Sequence, residues 1–148
     1  MEKIALIIPI LLFACVKSDK PKFEVQAEEQ SVMQVLENQQ SNWNKGDIDA
    51  FMVGYWKSDS LQFVSRGKIK KGWNETIAGY KKNYPDIEAM GTLKFDILQT
   101  TNLSPKVFLV TGMFYLTRKD SNNATGIFTL IFKKIDGLWL IVYDHTST

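Results

Sequence analysis

Asp144 and His145 stand side by side near the end of the chain, a carboxylate next to an imidazole, with Tyr143 before them. Histidine exchanges protons near neutral pH, which suits it to acid–base work. In a regular strand, however, neighbours point to opposite faces of the sheet, so Asp144 and His145 form no dyad unless the chain leaves strand geometry there. Alternation groups His145 with Tyr143 instead. His145 is therefore the candidate acid or base, with Tyr143 or Tyr80 as its partner. The competing reading is a structural histidine hydrogen-bonded at the end of a sheet. For Asp144, a hydrogen bond in a turn or interface is the plainer role. Trp56 and Tyr80 are candidates to line a site for a ring-bearing ligand, the tyrosine hydroxyl giving orientation. Trp73 and Tyr84 fall at helical spacing and read as core. Arg66 lies in a turn after a strand, where it either meets an anionic ligand group or is simply solvated.

Other chemistries find no support in the residues. There is no glycine-rich phosphate loop, no serine nucleophile elbow and no paired-cysteine zinc pattern. One histidine and scattered carboxylates make a poor transition-metal set, and no cofactor is implied. The net charge is +2, and the lysines gather only in short groups such as Lys68, Lys70 and Lys71. A nucleic-acid surface needs a broader basic stripe. Asn74-Glu75-Thr76 matches a glycosylation triplet but falls inside an expected helix.

The elements that must hold these residues follow from periodicity. The run Gly126–Ile135, then Asp136-Gly137, then Leu138–His145 is two β-branched and aromatic stretches around a tight-turn pair, the signature of a two-residue hairpin. If Ile135 pairs with Leu138, one face carries Phe128, Leu130, Phe132, Trp139, Ile141, Tyr143 and His145. The other carries Ile127, Thr129, Ile131, Leu138, Leu140, Val142 and Asp144. Both faces are largely apolar, so both call for cover: helices or a ligand on the aromatic side, something flat such as a second subunit on the aliphatic side. Upstream, Val32, Leu36, Gln39 and Trp43 mark one face of a helix over 28–45. Asp47 caps a short helix with Ile48, Phe51 and Met52 inward. Leu61–Ser65 and 68–70 form a small hairpin across Arg66-Gly67. Trp73, Ile77, Tyr80 and Tyr84 mark a third helix, stopped by Pro85. Two more strands follow, over 93–97 and 107–117. Helices early and strands late, without alternation, predict an α+β domain with helices on one face of a curved antiparallel sheet. The length of 148 residues suits one such domain, and 45% hydrophobic residues suffice for its core.

The N-terminus reads differently. Ile4–Ala14 is apolar and too short to span a membrane, which fits the apolar region of a signal peptide. It ends in Leu12-Phe13-Ala14-Cys15, which resembles a bacterial lipoprotein cleavage box. That resemblance implies removal of 1–14, lipid on Cys15 and a membrane-anchored envelope location. An ordinary periplasmic or secreted protein is the alternative. Residues 15–27 then form a flexible tether, and 28–148 the domain.

Across that domain, Gln40–Asn44 with Gly46-Asp47, Tyr55-Trp56, Phe63-Val64-Ser65, Gly72-Trp73, Tyr84-Pro85, Met90-Gly91-Thr92-Leu93, Val110-Thr111-Gly112, Gly126–Leu130, and Trp139 with Ile141–His145 form a series. It resembles the SnoaL-like, domain-of-unknown-function 4440 branch of the nuclear transport factor 2-like superfamily, over 32–147. The resemblance implies a cone-shaped α+β fold in which a curved sheet wraps a long helix around an apolar pocket. It implies a homodimer through the outer sheet face. It allows either a small-molecule-binding domain, a cofactor-free isomerase or dehydratase, or a non-catalytic interaction domain. Leu140 stands where such chains often carry a basic residue.

Overall fold

A computed structural model describes residues 22–147. The elements run α1 (Lys22–Asn44), α2 (Ile48–Met52), β1 (Gln62–Ser65), β2 (Lys68–Lys71), α3 (Trp73–Asn83), α4 (Ile87–Met90), β3 (Thr92–Ser104), β4 (Val107–Thr117), β5 (Ala124–Ile135) and β6 (Leu138–Ser147). The expected signal peptide, Cys15 and the first part of the expected tether lie outside the described residues. Among the described residues, no helix is long and apolar enough to cross a membrane.

The helix faces follow from the sequence. Val32, Leu36, Gln39 and Trp43 of α1 are all buried, as their spacing requires. Asp47 caps α2, its carboxylate accepting the Ala50 N–H at 2.8 Å, and Ile48, Phe51 and Met52 turn inward. One correction concerns the start of α1: residues 22–27 are helix, not tether. Tertiary contacts account for the extension. Val25 packs on the core, and Glu28 pairs with Lys134 of β5 and accepts a hydrogen bond from the Trp139 indole of β6.

The six strands make one sheet in the order β2-β1-β6-β5-β4-β3. All neighbours are antiparallel except β1 and β6, which run parallel, so the sheet is mixed rather than wholly antiparallel. The crossover that makes this pair parallel is the chain's return through α3, α4 and the β3–β5 meander. Register shifts in β3, between Ile97 and Gln99 and between Asn102 and Ser104, bend the long strands. The sheet curls around α1, with the core between them: Phe108, Val110, Phe128, Leu130, Phe132 and Ile141 meet Val32, Leu36 and Trp43.

The β5–β6 hairpin forms as its sequence dictates. Ile135 pairs with Leu138, and Asp136 and Gly137 both take positive φ, 49° and 83°, as the tight turn requires. Pairing continues to Phe132 opposite Ile141. There it slips: Ile131 faces Tyr143, leaving Val142 as an extra residue. This bulge coincides with a change of neighbour on the outer side of β6. Before it, β6 bonds to the segment after α2, with Trp56 N–H donating to Ile141 O and Ile141 N–H to Gly54 O, both at 2.9 Å. After it, β6 pairs with β1 from Tyr143 onward. One inserted residue reverses every side chain that follows.

Candidate functional site

The reversal decides the site. Beyond Val142, Asp144 lies opposite the buried Leu130 and Thr146 opposite the buried Phe128, on the concave face. His145 lies opposite Thr129 and beside Val64, on the convex face, and is exposed. Tyr143, opposite Ile131, shares that convex face. The placement of His145 and Tyr143 on the aromatic, concave face is therefore corrected: unbroken alternation would put them there, and the bulge moves them to the other side.

The concave face encloses a cavity of about 130 Å³. Its walls come from α1 (Leu36, Gln39, Trp43), from Phe51 and Tyr55, from Tyr80 and Tyr84, and from the sheet (Phe95, Phe128, Leu130). Asp144 and Thr146 face it, and Arg66 lines its rim. A dry cavity of about 150 Å³ takes a benzene molecule, so this one suits a single ring.

Asp144 is 3% exposed, a carboxyl group with almost no water. The Tyr55 hydroxyl donates to its Oδ2 at 2.7 Å, and the Thr146 hydroxyl donates to its Oδ1 at 2.7 Å. Tyr55 reaches this position because its backbone bridges to Ile141 on β6. Burial disfavours the carboxylate and lifts its pKa to about 6; the Thr146 and Tyr55 hydrogen bonds and the nearby His145 pull the other way. Burial also drives the Tyr55 and Tyr80 hydroxyls well above the usual phenol range, and the Asp144 charge adds to both. These phenols stay protonated at any ordinary pH. Each Asp144 oxygen has one protein donor and lone pairs to spare, so the carboxylate can accept a further hydrogen bond from a molecule in the cavity.

The residues singled out from sequence divide. Tyr80 and Arg66 line the cavity. Tyr80 also sits within an aromatic cluster, its ring 5.3 Å from Phe51 and 5.9 Å from Trp43. Trp56 is half-buried but lies outside the cavity wall, because the extended segment that turns Tyr55 inward turns its neighbour outward. Trp73 and Tyr84 pack on the core, as expected, although Tyr84 also reaches the cavity. Sequence reasoning missed the Tyr55–Asp144–Thr146 triad. Nothing local marks Val142 as a bulge, and Tyr55 approaches Asp144 only through the fold. Among the described residues, no group of three metal-ligating side chains stands together.

Comparison with known proteins finds relatives by structure. A scan against family models finds no match, and neither does a search of curated proteins. Among solved structures, an NTF2-like protein of unknown function from Shewanella oneidensis MR-1 is 45% identical, with a TM-score of 0.79, and the match covers 82% of this chain and 99% of that one. An NTF2-like protein of unknown function from Pseudomonas putida KT2440 aligns with TM-score 0.65 at 18% identity, covering 82% of this chain and 87% of that one. A ketosteroid isomerase-like protein from Erwinia carotovora atroseptica SCRI1043 aligns with TM-score 0.63 at 16% identity, covering 81% and 95%. The last two likenesses concern the fold alone.

Proposed function

This chain belongs to the NTF2-like family, and on that premise we propose that its cone binds a small, partly apolar molecule of about one ring, held by a hydrogen bond to Asp144. The observation that carries this reading is a buried carboxylate, with one donor on each oxygen, facing a cavity walled mainly by aromatic and aliphatic residues. Apolar walls supply affinity, and a single polar group supplies orientation. Asp144 is mostly ionised above about 6, so at neutral pH it selects a ligand that donates, such as a hydroxyl. Phenol is a suitable probe. Protein NMR titration should show phenol perturbing Tyr55, Leu130 and Tyr80, with tighter binding as pH rises through about 6. Leu130→Trp, which fills the cavity, should abolish it. Binding that survives this substitution would place the ligand elsewhere.

A second reading is favoured by the same group. A carboxylate lifted to about 6 is a competent base near neutral pH. In a cofactor-free isomerisation or dehydration, Asp144 would take and return the proton, not His145, which stands on the outer face. Native mass spectrometry of gently purified protein would identify any retained molecule, and turnover of that molecule should be lost in Asp144→Asn.

The same reading extends to the setting. The chain is a SnoaL-like domain, exported and anchored through lipid on Cys15, that pairs as a homodimer through the convex face. That face carries Leu109, Met113, Ile127, Ile131 and Leu140, with Ile127 45% exposed. Mass analysis of the N-terminal peptide checks the lipid, and sedimentation checks the dimer.

A further inference from the structure

The cavity shares Phe63, Ser65, Arg66, Tyr80 and Tyr84 with a second hollow of about 290 Å³ between the β1–β2 hairpin and α3. The charge in this groove is one-sided. Arg66, Lys68 and Lys70 line it, and no aspartate or glutamate does. The ion pairs found among the described residues use Lys81 and Lys134 instead.

The placement of these cations runs against ordinary patterning. Lys68 pairs with Ser65 and Lys70 with Phe63, and both of those β1 residues line the cavity. Side chains directly across a ladder share a face. The lysines of β2 therefore stand on the concave side, while Ile69 between them is turned to the convex side and left 62% exposed. All four residues of this edge strand are exposed, and the lysines rather than the isoleucine stand on the side of the cavity. The Lys70 ammonium rests against α3 at Gly79, where any side chain would meet it.

The turn adds an independent observation. Arg66 has φ 50° and Gly67 φ 68°, so both central residues are left-handed. Such turns favour asparagine, aspartate or glycine at the first position. An arginine held there is strained by about 1 kcal/mol. Arg66 lines both the cavity and the groove.

Building on the cavity reading above, we propose that the groove binds the carboxylate of the same ligand, so that the molecule is a small cyclic hydroxy acid. Its ring and hydroxyl occupy the cavity against Asp144, and its carboxylate lies outside the rim between Arg66 and Lys70. The two charged ends are kept apart by the ring, so the Asp144 carboxylate and the ligand's own do not meet.

Paired NMR titrations of the purified protein with phenol and with 4-hydroxyphenylacetate, at pH near 7 and low salt, test this. The acid should bind about tenfold more tightly than phenol, the gain of one charge-assisted contact pair. That advantage should shrink in about 0.5 M salt. It should be largely lost in the double variant Lys68→Gln/Lys70→Gln, whose residues line the groove but not the cavity, and which should still bind phenol as the native protein does. Equal affinity for the two compounds, or an advantage that survives the double substitution, overturns the proposal. The inward lysines would then serve only to keep the edge strand from pairing with other chains, and phenol binding would leave the cavity reading intact. If neither compound binds, both readings fall.

Discussion

Asp144 and His145 are adjacent in the chain and occupy opposite environments. Asp144 is sealed inside the cone with two hydroxyl donors, whereas His145 lies open on the convex face beside Val64 and Thr129. The histidine is the more tempting residue by type, yet it is the carboxylate that faces the cavity. Alternation puts them on opposite faces, and a single inserted residue, Val142, decides which of the two is inside. A strand that is apolar on both faces contains no local instruction for which face is which. Here the answer comes from neighbours: the segment carrying Gly54 and Trp56 claims one end of β6, β1 claims the other, and the bulge forms where they change over.

The harshest way to break this contrast is to insert one alanine between Val142 and Tyr143. With the single-residue bulge kept, pairing would turn Tyr143 and His145 into the cone and expel Asp144 from its hydroxyl partners. Urea unfolding should show a loss of about 3 kcal/mol or more. An insertion variant as stable as the native protein would mean that the facing of Asp144 is incidental to the fold.

The buried carboxylate predicts a pH signature of similar size. Asp144 titrates near 3.8 when unfolded and near 6 when folded. Between these values the folded state binds more protons, so stability is fully present below pH ~4 and falls as pH rises through ~6. A shift of this size is worth about 3 kcal/mol. Asp144→Asn removes the titration. The stability difference between the native protein and this variant should therefore change by roughly that amount between pH ~3.5 and ~7, in favour of the variant at the higher pH. Parallel curves would show that Asp144 is solvated.

Tyr55→Phe is the next test. It takes one donor from a buried carboxylate, which costs about 1–3 kcal/mol at neutral pH. Because the Tyr55 hydrogen bond lowers the Asp144 pKa, its removal should move the midpoint upward, which carboxylate NMR would follow. The smallest expected effect is at the rim. Arg66→Gly relieves the left-handed arginine and should stabilise the protein by about 0.5–1 kcal/mol, while weakening binding of the acid probe. A variant that is destabilised would remove the argument from strain.

Much of the scaffold was legible. The buried face of α1, the Asp47 cap and the Asp136-Gly137 turn each follow from residues close in sequence, where periodicity and turn chemistry act directly. Arg66 and Tyr80, singled out from a turn and a helix face, which are also local features, both line the cavity. The parallel pairing of β1 with β6 was not legible, since it joins segments about 80 residues apart and depends on how the whole meander closes. Tyr55 and Asp144 were missed for the same reason: 89 positions separate them. The early start of α1 was missed because Lys134 and Trp139, which hold Glu28, are far along the chain.

The most direct measurement is phenol binding by NMR titration at pH near 7 in three proteins: native, Asp144→Asn and His145→Ala. The account predicts that His145→Ala binds as the native protein does, and that Asp144→Asn binds about tenfold more weakly for want of the charge-assisted hydrogen bond. Loss of binding in His145→Ala with Asp144→Asn unaffected would contradict it, and would return the site to the face on which the histidine lies.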